Sequence, residues 1–224
     1  MNTLPYHVIP FKFNDDSQKL LDSVIPDYVN QFEKNSNERG GNLTLSNDRC
    51  LDDGAVGDQF REIFKKVGVK EFKVQLFIYR NRRPQDVDWA KGNPHIDQYG
   101  IWPNIISFNR FNVLYEGTQN YEYQWWPHID ENNMDQLEWY EYTIYTGDKS
   151  KRLQLKGVTD QERWESIGPP TFTATHLSEI GKTASFVKAN CLHNLAMKPN
   201  RRIVVSARIP QPWETLDFSK LYND

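Results

Sequence analysis

Phe72-Lys73-Val74-Gln75-Leu76-Phe77-Ile78-Tyr79 is the stretch that decides the fold. Phe72, Val74, Leu76 and Ile78 alternate with Lys73, Gln75, Phe77 and Tyr79, the period-two pattern of a strand with one buried face. Upstream the period is helical. Leu20, Leu21, Val24, Ile25, Tyr28, Val29 and Phe32 recur three or four residues apart, and Pro26 is expected to kink that helix or divide it in two. A polar loop is expected through Asn35-Ser36-Asn37 and Gly40-Gly41. A second helix is expected from Ala55 to Val67, with Phe60, Ile63, Phe64 and Val67 on one face and Gly68 ending it. Downstream, a Pro- and Arg-containing loop, Asn81 to Pro94, leads into His95. Further strands are expected at Ile105–Tyr115, Tyr121–Trp126, Ala184–Ala189 and Arg202–Ile209. Residues 127–170 are the least regular. They begin acidic (Asp130, Glu131, Asp135, Glu138, Glu141) and turn basic (Lys149, Lys151, Arg152), with a short strand at Glu141–Tyr145. Helices first and many short strands afterwards predict a mainly β protein, a sandwich or barrel with N-terminal helices on one side. The expected organisation is one domain over 1–224: a helical part at 1–70, a β core at 71–210 carrying an insertion at 127–170, and a tail at 211–224.

Composition narrows the partners. A chain of 224 residues with 13% aromatic content can bury one sizeable core and line a cavity with rings. The formal net charge is -3 and no basic block stands out, which disfavours nucleic acid. Cys50 and Cys191 are too few and too far apart for a disulfide framework, so a reducing cytoplasm is expected. The first residues lack the charged start and apolar run of a signal peptide, and no stretch approaches a membrane span. The oligomeric state is not legible.

The chemistry-bearing residues are His95-Ile96-Asp97, His193 and Arg202. At a strand end, residues two apart point the same way, so His95 and Asp97 can share one ion. His193, after a strand and an Asn-Cys-Leu turn, can reach the same ion if the strands fold back. Two imidazoles and one carboxylate hold a divalent metal on one face and leave the opposite face open, the facial triad of non-haem Fe(II) oxygenases. Zn, Ni and Co suit the same donors. A rival motif, His128-Ile129-Asp130, has the same spacing. His95 lies between two good strands, whereas His128 follows Trp125-Trp126-Pro127 into an acidic, irregular stretch that suits a surface turn. The first motif is therefore preferred. The choice requires a loop insertion before His193, which residues 127–170 supply. In the last strand, Arg202, Val204, Ser206 and Arg208 share one face and Ile203, Val205, Ala207 and Ile209 the other. The apolar face is expected against the helices. The arginine face then looks into the sandwich, where an unpaired charge is costly and a dicarboxylate would relieve it. Arg201 would lie on the opposite side. Trp102, Trp125 and Trp126 are candidates to wall a pocket.

This order of residues resembles the Fe(II)- and 2-oxoglutarate-dependent dioxygenases, in particular small hydroxylase-like members from bacteria and phages. It consists of His95-x-Asp97, then Arg110-x-Asn112, then His193 followed by Arg202-x-x-x-Ser206. The resemblance covers residues 71–210 and implies a double-stranded β-helix, a jelly roll related to the cupins. It implies His95, Asp97 and His193 as iron ligands and Arg202 as partner of the distal carboxylate of 2-oxoglutarate. Arg110, Asn112 and Ser206 would contribute polar contacts to the co-substrate, and Arg208 and Trp102 would lie on the substrate side. The implied reaction uses Fe(II), 2-oxoglutarate and O2, oxidises a small-molecule or peptide substrate, and releases succinate and CO2. Two other readings stay open: a cupin-type metalloenzyme without 2-oxoglutarate, and a β-sandwich binding module without a catalytic metal.

Overall fold

Alternating apolar residues build the framework. A computed structural model describes residues 4–39, 43–45, 49–80, 94–99, 106–117, 121–130, 137–143, 149–155, 167–197 and 201–222. The chain begins with strand β1 (Tyr6–Pro10), helix α1 (Asp15–Arg39), β2 (Leu43–Leu45), α2 (Arg49–Asp52) and α3 (Ala55–Val67). There follow β3 (Lys73–Arg80), β4 (His95–Ile96), β5 (Gln98–Tyr99), β6 (Ile106–Ser107), β7 (Asn109–Gly117) and β8 (Tyr121–Asp130). The remainder is β9 (Leu137–Thr143), β10 (Lys149–Leu155), β11 (Phe172–Thr175), β12 (Thr183–Val187), β13 (Cys191–Met197) and β14 (Arg201–Ile209), then two short 3-10 turns. Sheet I has six strands in the order β1-β12-β7-β14-β3-β2, and sheet II has six in the order β11-β8-β13-β4-β10-β9. Neighbouring strands in both sheets run antiparallel.

The helices cover one face of sheet I, and alternation explains how. Ile203, Val205, Ala207 and Ile209 of β14 and Val74, Leu76 and Ile78 of β3 join Leu21, Ile25, Phe60, Phe64 and Val67 in one apolar cluster. Fully burying each such larger side chain stabilises by roughly 1.5–3 kcal/mol. Helix α3 runs over the expected residues and stops at Gly68, whose φ of 83° is a left-handed cap that a glycine adopts without strain. Trp213, Leu216 and Phe218 of the C-terminal segment are buried in the same cluster, so 211–222 is packed rather than a loose tail. The other face of sheet I meets sheet II. Arg202 lies over the Tyr121 ring, Asn112 donates to the Tyr123 hydroxyl, and Tyr6 stacks on Trp125.

Several local expectations are corrected. Helix α1 passes through Pro26 unbroken for 25 residues and takes in Asn35-Ser36-Asn37, which were expected in a loop. Pro26 is exposed, so water can satisfy the carbonyl it leaves unbonded. The N-terminal part is not only helical, because β1 and β2 form the two edges of sheet I. Residues 105–115 divide into β6 and β7, and Ile105 lies outside the described residues. Strand β8 continues past Trp126 to Asp130. Within 127–170, β9 and β10 form a hairpin that extends sheet II, with β10 paired to β4. The turn expected at Asn-Cys-Leu is confined to its first residue: Asn190 lies in a bend, and Cys191 and Leu192 are already in β13. Among the described residues, no helix is long and apolar enough to cross a membrane.

Candidate metal centre

Strand pairing creates the site. Strand β13 lies between β4 and β8, and His193 pairs with His95 on one side and Trp125 on the other. Directly paired residues project to the same face, so the two imidazoles meet with ring centroids 4.7 Å apart. Asp97 follows β4, and its backbone is held from both sides. Its N–H donates to the Ala189 carbonyl and its carbonyl accepts from Phe108. The carboxylate thereby lies 3.5 Å (Oδ1) from His95 Nε2 and 3.8 Å (Oδ2) from His193 Nε2. One ligand atom from each of His95, Asp97 and His193 lies within 4.8 Å of the others. Donors at right angles on metal bonds of about 2.1 Å stand roughly 3 Å apart, so a small inward movement closes the set around an ion.

Protonation suits metal binding as well. His193 Nδ1 lies 3.0 Å from the Cys191 carbonyl oxygen. A carbonyl only accepts, so Nδ1 carries the proton and Nε2 keeps its lone pair for a metal. Burial, then the charge of His95, push His193 down to about 4 against the pull of Asp97 and the Cys191 carbonyl. Burial alone would raise Asp97. The Arg110 charge, a hydrogen bond from His95, the His193 charge and the Arg110 hydrogen bond outweigh it and hold Asp97 well below the usual carboxylate range. Near neutral pH His193 is therefore an uncharged imidazole and Asp97 a carboxylate.

Across the gap, sheet I presents the other sequence-selected residues. Arg202 is 5% exposed, with its guanidinium 4.2 Å above the Tyr121 ring centroid. The Tyr121 hydroxyl accepts from the Ser178 N–H at 2.9 Å and so holds the ring as a fixed platform. Ser206 donates to Asn112 Oδ1 at 2.7 Å, and Asn112 donates to the Tyr123 hydroxyl at 3.2 Å. Asn112 thus bridges the sheets, with Ser206 holding its amide from within sheet I. The Arg110 Nε donates to Asp97 Oδ2, so the contacts of Arg110 run to the candidate ligand itself. Arg208 lies 5.3 Å from the Phe108 ring centroid and is half-buried. Trp125 shares the inner face with His193. Trp126 packs on the opposite face of sheet II with Ile96, Ile129 and Leu192, so it does not wall the same space. Trp102 and the loop at 81–93 lie outside the described residues. His128 is exposed and is not brought to His193.

Sequence reasoning missed Tyr121, Tyr123, Ser178, Phe77 and Phe108. Alternation was the signal for three of them: Phe77 shares a face with Gln75, and Tyr121 and Tyr123 share a face with Trp125.

No family model and no curated protein matches this chain. Among solved structures, a viral collagen prolyl hydroxylase from Paramecium Bursaria Chlorella virus-1, determined as a 2OG complex, aligns over 94% of this chain and 98% of its own. The identity is 11% and the TM-score 0.40, a likeness too slight to transfer anything to this chain.

Proposed function

We propose that this protein is an Fe(II)- and 2-oxoglutarate-dependent oxygenase that oxidises a C–H bond of a small-molecule or peptide substrate, with release of succinate and CO2. The observation that carries the reading is the convergence of His95, Asp97 and His193 on the inner face of sheet II. Strand order supports it too. Setting aside β1, β2, the short β5–β6 pair and the β9–β10 hairpin, eight strands remain. Numbered consecutively, they stand in the order 6-3-8-1 in sheet I and 5-4-7-2 in sheet II. That interleaving supports a double-stranded β-helix reading, in which the second, seventh and eighth strands would carry His95, His193 and Arg202.

In this reading His95 and His193 each offer a ring nitrogen, and Asp97 contributes the single negative donor. Iron bound there would supply O2 activation coupled to oxidative decarboxylation of the co-substrate. Arg202, fixed over Tyr121, would take the distal carboxylate of 2-oxoglutarate through its guanidinium fork. Tyr121, Tyr123 and Trp125, buried on the inner face of β8, would exclude water from that side.

The test is succinate formation from 2-oxoglutarate with Fe(II), screened across amino acids, peptides and small metabolites, alongside titration of Mn(II) into the metal-free protein. Absence of metal binding would overturn the whole reading. Metal binding with neither affinity for 2-oxoglutarate nor its turnover would favour a metalloenzyme of another kind.

A further inference from the structure

Arg110 projects from β7 of sheet I toward the candidate metal centre. Its Nε donates to Asp97 Oδ2, and Nη1 lies 3.5 Å from Ser206 Oγ. Its guanidinium carbon sits 4.5 Å from the Phe77 ring centroid and 4.8 Å from that of Phe108. Asp97 and Arg110 side chains are only 11% and 14% exposed. A cation between two aromatic rings and a carboxylate in a poorly solvated space has little freedom to leave.

We infer that Arg110 is a positioning residue that makes Asp97 a one-oxygen metal ligand. The inference rests on the metal-centre reading above. Both oxygens lie near an imidazole, Oδ1 3.5 Å from His95 Nε2 and Oδ2 3.8 Å from His193 Nε2, and the Arg110 hydrogen bond engages Oδ2. A carboxylate free to rotate can bind a divalent ion through both oxygens and so take two coordination positions. Tying down Oδ2 would hold the protein to three donors, so a bound ion would keep three positions for other ligands. A bidentate keto acid and one further ligand need that number. Phe77 and Phe108 hold the guanidinium over the pair, and Ser206 fixes its far end. Lysine cannot replace it fully, because an ammonium lacks the planar edge that slots between rings and carboxylate.

The experiment loads wild-type protein, Arg110→Ala and Arg110→Lys with Co(II). It reads metal affinity by calorimetry, coordination number from the Co(II) visible absorption, and 2-oxoglutarate affinity of the loaded proteins. Arg110→Ala should weaken metal binding roughly 10- to 100-fold, as loss of groups that orient ligands does. It should also change the intensity of the Co(II) bands and lower 2-oxoglutarate affinity. Arg110→Lys should recover part of the metal affinity but not the wild-type spectrum. Should Arg110→Ala fail to fold, Phe77→Leu loosens the slot without removing charge and should shift the spectrum in the same direction. Wild-type spectra and affinities in the folded Arg110 variants would overturn the inference while leaving the metal centre intact. A wild-type protein that binds no Co(II) or Mn(II) would overturn both.

Discussion

The tripeptide His-Ile-Asp occurs twice, at 95–97 and 128–130, and the two copies meet different fates. Their isoleucines end in the same place: Ile96 and Ile129 are both buried in the small cluster on the outer face of sheet II. Their histidines and aspartates do not. His95 lies directly opposite His193 across the β4–β13 pair. On the other flank of β13, Leu192 pairs with Trp126 and Cys191 with Asp130, so Pro127, His128 and Ile129 are taken up in an irregularity of the ladder. The position facing His193 on β8 is consequently Trp125. Identical spacing thus becomes a candidate ligand pair or a surface feature according to strand register alone.

The hardest blow to this comparison comes from metal titration. His193→Ala and His95→Ala should abolish Mn(II) binding, and His128→Ala should leave it unchanged. Retention by His193→Ala, or loss by His128→Ala, would break the assignment. Next comes the shared cluster. Ile96→Ala and Ile129→Ala should each cost about 2–5 kcal/mol in urea unfolding. Only Ile96→Ala should also weaken metal binding, because Ile96 anchors the backbone between His95 and Asp97.

A pH series sharpens the contrast between His193 and His128. His193 is pushed down to about 4 in the folded protein from its ordinary 6.5. The unfolded chain then binds more protons between those values, so this stabilisation is complete above 6.5 and lost as pH falls toward 4. The full effect is up to about 3 kcal/mol. Unfolding of metal-free protein between about pH 7 and pH 5 should show the decline. His193→Gln should flatten it, with His128→Gln as the control at an exposed side chain. The smallest effect expected belongs to the facing sheet. Arg202→Ala should raise the 2-oxoglutarate requirement roughly 10- to 100-fold, at about 1.4 kcal/mol per factor of ten, with metal affinity unchanged. Equal losses of metal and co-substrate affinity would mean that Arg202 supports the site only through packing on Tyr121.

What could be read from sequence was whatever one element decides by itself. Helix α3 and its glycine stop, the alternation of β3, and the two faces of β14 each follow from a local period. The reason for preferring His95 over His128 is corrected in part, since His128 lies in a strand and not in a surface turn, while the structure groups His95 with Asp97 and His193. Pro127 looked like a strand end because proline cannot donate to a ladder. It is tolerated because it falls in the irregular stretch, where no regular bond is required. Strand β13 was not among the expected strands; its Asn194, of a residue type depleted in strands, donates to Gln124, its direct cross-strand neighbour, at 2.9 Å. The hold of Arg110 on Asp97 joins two sheets, and no local pattern encodes a contact between elements that meet only on folding.

The edges of sheet I bear on how the molecule assembles in time. Strand β2 pairs with the nearby β3, but β1 pairs with β12, so that Tyr6 finds Val187 almost at the far end of the chain. A growing polypeptide can thus form α3 and the β2–β3 pair early, while β1 must wait until most of the protein has left the ribosome. The candidate ligands follow the same timetable, since His95 gains its neighbour only when His193 arrives. Pairings this distant make for slow folding, in the millisecond-to-second range. Until β12 appears, an apolar segment containing Val8 and Ile9 stays exposed. The N-terminal strand is therefore where a chaperone would have most to protect during synthesis.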